Sequence, residues 1–379
     1  MGPLSGVKIV ELFCIGPGPF AAMQLSDMGA DVLLVDRMIE QDLGYPEHQY
    51  RFMYRNRRSV RFDLKDPDDV EFVLGLVEEA DGLIEGFRPG VAERLGLGPD
   101  VCLERNPRLV YGRMTGWGQQ GPNATRAGYD ANFISPTGAL WAIGEADRPP
   151  PPPLILAGDL GGGGMYLAMG MIAALYEARS SGRGQVVDAA ISDGTLNLMA
   201  YFYGNLAGGT WENERQANLV DGGDWRYGTY RCADGGFVST ALLQRKFLDN
   251  FVAKSGIDLD GLGDPNNRAA WPGYRQRMAE LFATRSRDEW GALFDGPDDT
   301  VHPVLDMIEA QSAPQNIERH AFVDVDGTSQ PAPAPRFTRT PSSVSRGAPR
   351  PGEGGADVLA DWGVDTAQIE RLRARGSVL

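Results

Sequence analysis

The stretch "VKIVELFCIGPGPFAAMQLSDMGADVLLVD", residues 7–36, decides the fold of this chain of 379 residues. The apolar run 7–12 is typical of a buried strand, and a turn rich in glycine and proline follows it. The segment 19–30 has the pattern of a helix with Pro19 near its first turn, and 31–36 is a second apolar run. A strand, a helix and a strand in this order predict one unit of a parallel sheet.

The same alternation of strand and helix continues beyond this unit. Helical patterns lie at 69–80 and 165–180, and strand patterns lie at 82–87, 108–114 and 185–191. This succession predicts the α/β class with a doubly wound parallel sheet, and such sheets bind ligands at the carboxyl ends of their strands.

The composition of the chain changes near residue 195, where aromatic residues and glycines become more frequent and a hairpin is predicted over 229–243. We therefore predict a large Rossmann-like domain over 1–195 and a smaller α+β domain over 196–328. Residues 329–379 begin as a connector rich in proline, glycine and serine and end in a helix that returns to the large domain.

The composition also limits the classes of partner. The net charge of −15 disfavours nucleic acid, and no apolar run is long enough to span a membrane. No secretory signal pattern opens the chain, so we expect a cytoplasmic protein. The cysteines are too far apart for a disulfide framework, and the histidines lack the spacing of metal ligands, so no metal site is predicted: Cys14, Cys102, Cys232, His48, His302 and His320.

Positive charge is concentrated in one segment of this acidic chain. "RFMYRNRRSVR", residues 51–61, holds five arginines in eleven residues. It fits a solvated charged loop and, equally well, a local anion site, because guanidinium groups pair with phosphate oxygens.

The turn "IGPGPFA", residues 15–21, matches the dinucleotide pattern G-x-G-x-x-A, and Asp36 supplies an acid about twenty residues further on. Pro17 and Pro19 nevertheless remove two amide donors that a pyrophosphate would need. Arg37 also places a positive charge where NAD would meet a carboxylate. The sequence therefore disfavours a nicotinamide cofactor.

A second glycine-rich turn, "AGDLGGGGMY", occupies residues 157–166 and precedes a predicted helix. Four glycines in succession fit a flexible start of that helix or the close approach of a ligand. Asp159 lies where helix amides would hold its carboxylate ionised. It can be a general base, a nucleophile or simply a helix cap, and the sequence alone favours the cap.

Segments along nearly the whole chain resemble the α-methylacyl-CoA racemases of the family III (CaiB/BaiF) CoA-transferase superfamily. They include "PLSGVKIVEL", "IGPGPFAAMQLSDMGADVLLVDR", "RNRRSV", "LIEGFRPGVAERLGLGP", "RMTGWGQQGP", "GDLGGGG", "SGRGQVVDAAISDG" and "APAPRFTRTPS". These ordered matches are specific for the superfamily, which contains both racemases and transferases.

The resemblance implies a Rossmann-like large domain, a smaller domain and two subunits interlocked like chain links. It implies an acyl-CoA thioester as substrate, no permanently bound cofactor and a role in lipid metabolism. The family's site lies between the large domain of one subunit and the small domain of the other. The residues that the resemblance places near CoA are Arg37, Arg55, Arg58, Arg88, Gly16 and Gly18.

The resemblance also identifies four catalytic positions. The racemases use a histidine–aspartate pair where this chain has Tyr129 and Asp130, an aspartate at Asp159, and a glutamate where this chain has Gln244. Two positions match the family, whereas the histidine and its acidic partner are both replaced.

These replacements change the chemistry that is expected. A tyrosine, with a reference pKa of about 10, is a poor base at neutral pH but a good hydrogen-bond donor, and glutamine does not ionise. We therefore predict chemistry at the α-carbon of a 2-methylacyl-CoA with Asp159 as base, diverged from simple racemisation. The alternatives are a CoA-transferase with Asp159 as nucleophile and a non-catalytic acyl-CoA-binding protein.

Overall fold

A computed structural model describes residues 2–39, 44 and 46–379, and its central feature is a six-stranded parallel sheet. The strands follow the order β3-β2-β1-β4-β5-β6, which is the strand order of a doubly wound Rossmann sheet. The predicted α/β class with a parallel sheet is confirmed. The strands are Lys8–Leu12 (β1), Asp31–Arg37 (β2), Arg58–Phe62 (β3), Gly82–Glu85 (β4), Val110–Thr115 (β5) and Gln185–Ala190 (β6).

The described residues also form α-helices in both parts of the chain. In chain order they are Pro17–Asp27 (α1), Pro67–Glu79 (α2), Val91–Arg94 (α3), Pro99–Arg105 (α4), Asp130–Ile134 (α5), Ala139–Ala142 (α6), Tyr166–Ser181 (α7), Ile191–Leu198 (α8), Ala200–Ala207 (α9), Arg245–Ser255 (α10), Trp271–Phe282 (α11), Arg287–Leu293 (α12), Glu309–Ser312 (α13), Pro314–Glu318 (α14), Gly355–Asp361 (α15) and Thr366–Ala374 (α16).

Helix α1 begins two residues before the predicted start, at Pro17, because proline is well suited to the first position of a helix. It ends before Gly29, which has a positive φ of 98° that stops the helix. The predicted helices over 69–80 and 165–180 correspond to α2 and α7.

Strand β3 lies inside the arginine-rich segment, which the sequence interpretation treated as a loop or an anion site. That interpretation is wrong for Arg58–Phe62, where Ser59, Val60 and Phe62 are buried. The C-terminal part of the chain covers this strand, since the amide of Ser59 donates to the Glu353 carbonyl. The strand was missed because its charged residues hide a short apolar pattern.

The loops after β1 and β4 meet where the strand order reverses, which is the usual ligand crevice of such sheets. Cys14 packs there between two glycines: a Cβ on Gly18 or on Gly86 would lie only 2.4 or 3.0 Å from its Sγ. Burial raises the pKa of the Cys14 thiol well above its usual range, so this cysteine fills space and is a poor nucleophile.

The chain divides into two compact units. The first comprises Met1–Thr137, Leu154–Leu198 and Gln315–Leu379, and the second comprises Gly138–Pro153 and Met199–Pro314. The first unit therefore contains the six-stranded sheet, the hairpin Phe322–Val325 (β10) and Thr328–Pro331 (β11), and the C-terminal helices. The predicted domain limits at 195 and 328 stay predictions.

The second unit has a three-stranded antiparallel sheet of Tyr227–Arg231 (β7), Phe237–Ala241 (β8) and Val301–Val304 (β9). The hairpin predicted over 229–243 is confirmed by the pairing of β7 with β8. Aromatic side chains form its core, and the rings of Trp225 and Tyr274 stack with their centroids 4.6 Å apart.

No helix among the described residues is both long and apolar enough to cross a bilayer. In the same part of the chain, no cluster of histidine, cysteine, aspartate or glutamate side chains is arranged to hold a metal ion.

Candidate active site

Asp159 lies in a π-helix, Leu156–Met165, which the glycine-rich turn forms at the start of α7. The residue before this helix is Ile155, so Asp159 is not the cap that the sequence alone favoured. π-Helices are rare in proteins, and those that occur are often found at functional sites. The four glycines belong to a regular element and not to a flexible helix start.

Glycines in this run are required by neighbours in the same unit. A Cβ on Gly162 would lie 2.3 Å from Thr195 Oγ1 in α8, and one on Gly164 would lie 2.7 Å from the ring of Phe20 in α1. Glycine therefore allows the π-helix to pack directly against two helices. The contacts that explain the run are made by protein atoms.

The carboxylate of Asp130 lies directly beside Asp159. Its Oδ1 accepts a hydrogen bond from the backbone amide of Asp159 over 2.7 Å, and a Cβ on Gly158 would lie 2.2 Å from the same oxygen. Asp130 is only 6% exposed, and its Oδ2 is buried with no hydrogen-bond partner among the described residues. The structure thus brings together Asp130 and Asp159, the two acids that the resemblance predicts to be catalytic.

Burial, followed by the negative charge of Asp130, raises the pKa of Asp159 to about 6. The expectation that helix amides stabilise the ionised form is therefore wrong about the direction of the pKa shift, because burial and the charge of Asp130 both disfavour the carboxylate. A carboxyl group that titrates near neutrality can both take and return a proton at physiological pH.

The turn at the start of α1 covers one side of this carboxylate. Gly16 has a positive φ of 71°, and a Cβ at this position would lie 3.0 Å from Asp159 Oδ2. Gly18 packs against Cys14, as described above. Both glycines predicted to contact CoA make close contacts within the chain, and their contact with a ligand stays a prediction.

Tyr129 precedes α5 and is 76% exposed. Its backbone amide donates to Asn132 Oδ1 over 3.1 Å, which fixes the start of the helix. Phe133 fills the space left by two glycines, since a Cβ on Gly116 or Gly128 would lie 2.1 or 2.7 Å from its ring. The phenol is thus carried next to Asp130 on a well-packed segment.

Gln244 belongs to the second unit, where it directly precedes α10 and is exposed. Its carbonyl accepts the amides of Phe247 and Leu248 in the first turn of that helix. Its amide side chain therefore lies at the start of α10 and is exposed to solvent within its own unit. Its predicted catalytic role stays a prediction.

Two of the arginines predicted to contact CoA are engaged within the chain. Arg55 is buried in an ion pair with Asp27, with 2.5 Å between Nη2 and Oδ2, and Arg58 pairs with Asp31 over 2.8 Å and with Asp361. These pairs explain a large part of the arginine-rich segment by folding. Because these ion pairs neutralise Arg55 and Arg58, residues 51–61 have less positive charge available to bind a polyphosphate than their composition suggests.

The other two arginines flank the crevice. Arg37 ends β2, and its guanidinium lies 4.8 Å from the centroid of the Phe13 ring, which stacks on Tyr54. Arg88 follows β4, is exposed and has no side-chain ion pair or hydrogen bond among the described residues. Cationic and aromatic groups at this edge suit a nucleotide with phosphates.

Sequence reasoning missed one pair of functional interest. Glu11 in β1 and Arg57 before β3 are both fully buried and joined by a 2.9 Å bond between Oε2 and Nε. The signal that could have found them is a single acid inside the apolar run "KIVEL" and an arginine beside a buried strand, because a buried charge needs a partner.

The chain is similar to known proteins along nearly its whole length. The α-methylacyl-CoA racemase of Mus musculus is 37% identical over 373 residues, which cover 98% of this chain and 96% of the relative. The succinyl-CoA:glutarate CoA-transferase of Homo sapiens is 27% identical, covering 95% of this chain and 86% of the relative. A CaiB/BaiF family protein from Brucella suis has the same fold, with a TM-score of 0.81, 26% identity and coverage of 95% and 99% of the two chains. Residues 4–355 match the model of CoA-transferase family III, and the chain belongs to this family.

Proposed function

We propose that this protein transfers a proton at the α-carbon of a 2-methylacyl-CoA thioester, with Asp159 as the base. The observation that carries the proposal is the carboxyl group of Asp159, whose pKa is raised to about 6 beside Asp130. The 37% identity to an α-methylacyl-CoA racemase supports the same substrate class.

The chemistry follows from the properties of these groups. A thioester acidifies its α-hydrogen, and a base whose pKa lies near the working pH is efficient in both directions of proton transfer. Asp159 removes the proton from one face and, once protonated, returns it to the same face. Tyr129 offers a hydroxyl that can donate a hydrogen bond to the enolate oxygen and stabilise its charge.

Racemisation needs a second base on the opposite face of the carbon. This chain has a tyrosine and a glutamine at the positions predicted for that base and its partner. A phenol, with a reference pKa of about 10, is poorly suited to act as a base at neutral pH, and an amide does not ionise. The reaction therefore exchanges the α-proton mainly with retention of configuration, or couples proton removal to isomerisation or elimination.

CoA binds at the carboxyl edge of the parallel sheet in this proposal. Arg37 and Arg88 supply positive charge beside the crevice, and the turn that contains Gly16 borders Asp159 on one side. The ion pairs of Arg55 and Arg58 favour structural roles for these two residues. CoA thus enters as part of the substrate and not as a resident cofactor.

The active form is an interlocked homodimer in this proposal. Apolar side chains on one face of α7 are exposed within the first unit, and others are exposed beside β9 in the second unit: Met165, Met169, Tyr176, Leu305, Met307 and Ile308. Exposed apolar side chains in such number are typical of surfaces that a partner covers. A second subunit would also bring Gln244 to the site of its neighbour, as the family arrangement implies.

The transferase alternative has less support. The raised pKa of Asp159 does not separate the two functions, because a nucleophile and a base both need the ionised carboxylate, so the comparison rests on sequence identity. Identity to the transferase named above is 27%, against 37% to the racemase.

The deciding experiment follows a single enantiomer of a 2-methylacyl-CoA in D2O by NMR. We expect deuterium at the α-carbon with the native protein and none with Asp159→Asn, because the amide cannot accept the proton. Glu177→Gln, which changes an exposed carboxylate of α7, is the matched control and keeps the exchange. Absence of deuterium with several acyl groups, together with an acyl-aspartate trapped by hydroxylamine, would show a transferase.

A further inference from the structure

The ion pair of Glu11 and Arg57 is completely buried, with both side chains 0% exposed. A buried ion pair is often no more stabilising than apolar residues of the same size, so its presence calls for a reason beyond stability. Neither residue contacts Asp159 or Asp130 directly. Their remaining contacts connect them to the site of these two acids.

Arg57 binds two segments of the backbone, one around Met53 and Arg55 and one at Pro19, through its guanidinium. Nη1 donates to the carbonyls of Met53 and Arg55, and Nη2 donates to the carbonyl of Pro19 over 2.6 Å. Glu11 fixes the orientation of the guanidinium by accepting from Nε. The planar fork is therefore fully used, and one of its strongest bonds ends on the first turn of α1.

The first turn of α1 has few means of holding itself in place. Pro17 and Pro19 lack amide hydrogens, and Gly16 at the cap position has no side chain to accept a hydrogen bond. The bond from Arg57 to the Pro19 carbonyl is thus an external support for residues 16–19.

This turn in turn packs against the π-helix of Asp159. A Cβ on Gly16 would lie 3.0 Å from Asp159 Oδ2, and a Cβ on Gly163 would lie 3.0 Å from Pro17 Cβ. The carbonyl of Pro17 lies 2.8 Å from the Cβ position of Gly164. The turn therefore takes the place of water on one side of the carboxylate.

We propose that the Glu11–Arg57 ion pair is a positioning device for Asp159, acting through the turn of residues 16–19. Glu11 and Arg57 are positioning residues, because they reach Asp159 only through this turn. The ion pair thereby keeps the Asp159 carboxyl group in one position and shielded from water. Only the catalytic consequence of this positioning rests on the proposed function.

The charges around Asp159 do not offer another route for the same effect. Asp130 faces it from α5, the first turn of α1 carries no charged residue, and Asp193 of α8 contacts Ser192 at a partly exposed position. A change at Arg57 leaves all of these groups in place. Its effect on Asp159 is therefore exerted through packing and hydration.

The test measures the hydration of Asp159 without any need for turnover. Asp159→Asn removes a carboxylate that burial disfavours, so it stabilises the protein at pH 8 and not at pH 4, where the carboxyl is protonated. The melting temperatures with and without the substitution Asp159→Asn are compared from pH 4 to 8, once in the native background and once with Arg57→Lys. Lysine keeps the charge beside Glu11 but loses the fork.

We expect the stabilisation by Asp159→Asn to fall by about half in the Arg57→Lys background and its midpoint to move down by about one pH unit, because water then reaches the carboxylate. Equal stabilisation and equal midpoints in the two backgrounds would overturn the proposal. If Arg57→Lys does not fold, Glu11→Asp gives the same comparison, since it keeps the negative charge but shortens the side chain that orients the guanidinium.

Arg55→Lys is the matched control. Arg55 is similarly buried and similarly paired, but it holds Asp27 at the other end of α1 and Gln330 of β11. We expect it to lower the melting temperature without changing the effect of Asp159→Asn. An effect as large as that of Arg57→Lys would show a general loosening and count against the proposal.

Turnover adds a second readout where α-proton exchange is observed. We expect Arg57→Lys to lower kcat by about 10²-fold with a smaller change in KM, since misplacement of a catalytic group by about 1 Å has this cost. The acid limb of the kcat/KM profile should move down with the Asp159 midpoint. If no exchange is seen with any variant, the proposed function fails, and the stability comparison still decides the positioning.

Discussion

Asp130 holds the backbone of Asp159 and at the same time disfavours its charge. The 2.7 Å hydrogen bond from the Asp159 amide to Asp130 Oδ1 fixes the first turn of the π-helix, and the negative charge of Asp130 adds to burial in raising the pKa of Asp159. The two acids are thus joined by a hydrogen bond through the backbone, and the pKa of one of them, Asp159, is raised toward neutrality. Pairs of this kind are a usual way to obtain acid–base chemistry near neutral pH.

The first prediction concerns this pair. Asp130→Asn keeps an oxygen that can accept the Asp159 amide but removes the negative charge, so the pKa of Asp159 should fall by about 0.5–1 unit. The acid limb of the pH profile of α-proton exchange should move down by the same amount. Asp130→Ala, which removes the acceptor as well, should also lower exchange at every pH. An acid limb that stays in place in Asp130→Asn would assign the limb to another group.

The second prediction concerns stability against pH. The pKa of Asp159 is about 6 in the folded protein and near 3.8 in an unfolded chain, so the folded state binds the extra proton between these values. Stability is therefore lost as the pH rises through this window, and Asp159→Asn should avoid the loss. We expect the variant to melt roughly 1–3 °C above the native protein at pH 8 and at the same temperature at pH 4. A variant that melts lower at pH 8 would show that the ionised carboxylate is stabilised in the fold.

The sequence was sufficient for the parallel sheet because each strand but one is an apolar run next to a helix with its own pattern. Arg58–Phe62 is the exception, because Arg58 is neutralised by two residues distant in the chain, Asp31 and Asp361. A partner that is 27 or 303 residues away leaves no local signal. The same reason explains why the arginine-rich segment suggested an anion site.

The resemblance to the family was sufficient to predict Asp130 and Asp159 as site residues. The sequence was not sufficient to predict the pKa of Asp159. Asp159 was expected to be ionised from its place before a helix, whereas burial by the turn of Gly16 and the contact with Asp130 determine its pKa. Desolvation depends on segments that the fold brings together. It has no counterpart in the composition of residues 157–166.

The third prediction tests why the turn contains glycines. Gly162→Ala places a methyl group 2.3 Å from Thr195 Oγ1 and 2.8 Å from the Thr195 nitrogen, so α8 and the π-helix must separate. We expect a loss of about 1–3 kcal/mol of unfolding free energy in urea titrations and loss of α-proton exchange. Gly75→Ala in the interior of α2 meets no atom within 4 Å and should stabilise by about 0.5–1 kcal/mol. Equal effects of the two substitutions would contradict the packing explanation.

The fourth prediction concerns the nucleotide. A ligand that binds only the folded state increases the free energy of unfolding and therefore raises the melting temperature. At a ligand concentration of 100 times Kd the gain in free energy is about 2.7 kcal/mol. We expect CoA to stabilise the protein and NADH to have no effect, since the arginines beside the crevice suit the 3′-phosphate that CoA carries and NADH lacks. Arg88→Gln should weaken the effect of CoA, whereas Arg94→Gln, an exposed arginine of α3, should not. Stabilisation by NADH alone would revive the dinucleotide interpretation of residues 15–21.

The last prediction returns to Tyr129 and Gln244, the two positions where the resemblance to the racemases predicts a replaced histidine and glutamate. If the missing histidine and glutamate prevent two-base chemistry, the double substitution Tyr129→His with Gln244→Glu should create or raise epimerisation of 2-methylacyl-CoA. General acid–base catalysis contributes about 10²–10⁴-fold, so the gain should be measurable against the native protein by chiral chromatography of the recovered acid. Each single substitution should give much less, because an imidazole without its carboxylate is poorly oriented and a carboxylate beside a phenol has no base to support.

Tyr129→Phe separates the two tasks of this position. It removes the hydroxyl that stabilises the enolate but leaves Asp159 as base, so exchange should slow while its stereochemistry stays the same. Because Tyr129 is exposed and lies at the start of α5, we expect substitutions at this position to change the free energy of unfolding little. Fast and equal exchange of both enantiomers by the native protein would mean that a second base is already present. The replacement of histidine by Tyr129 would then have left the reaction unchanged, because racemisation requires proton transfer on both faces of the α-carbon.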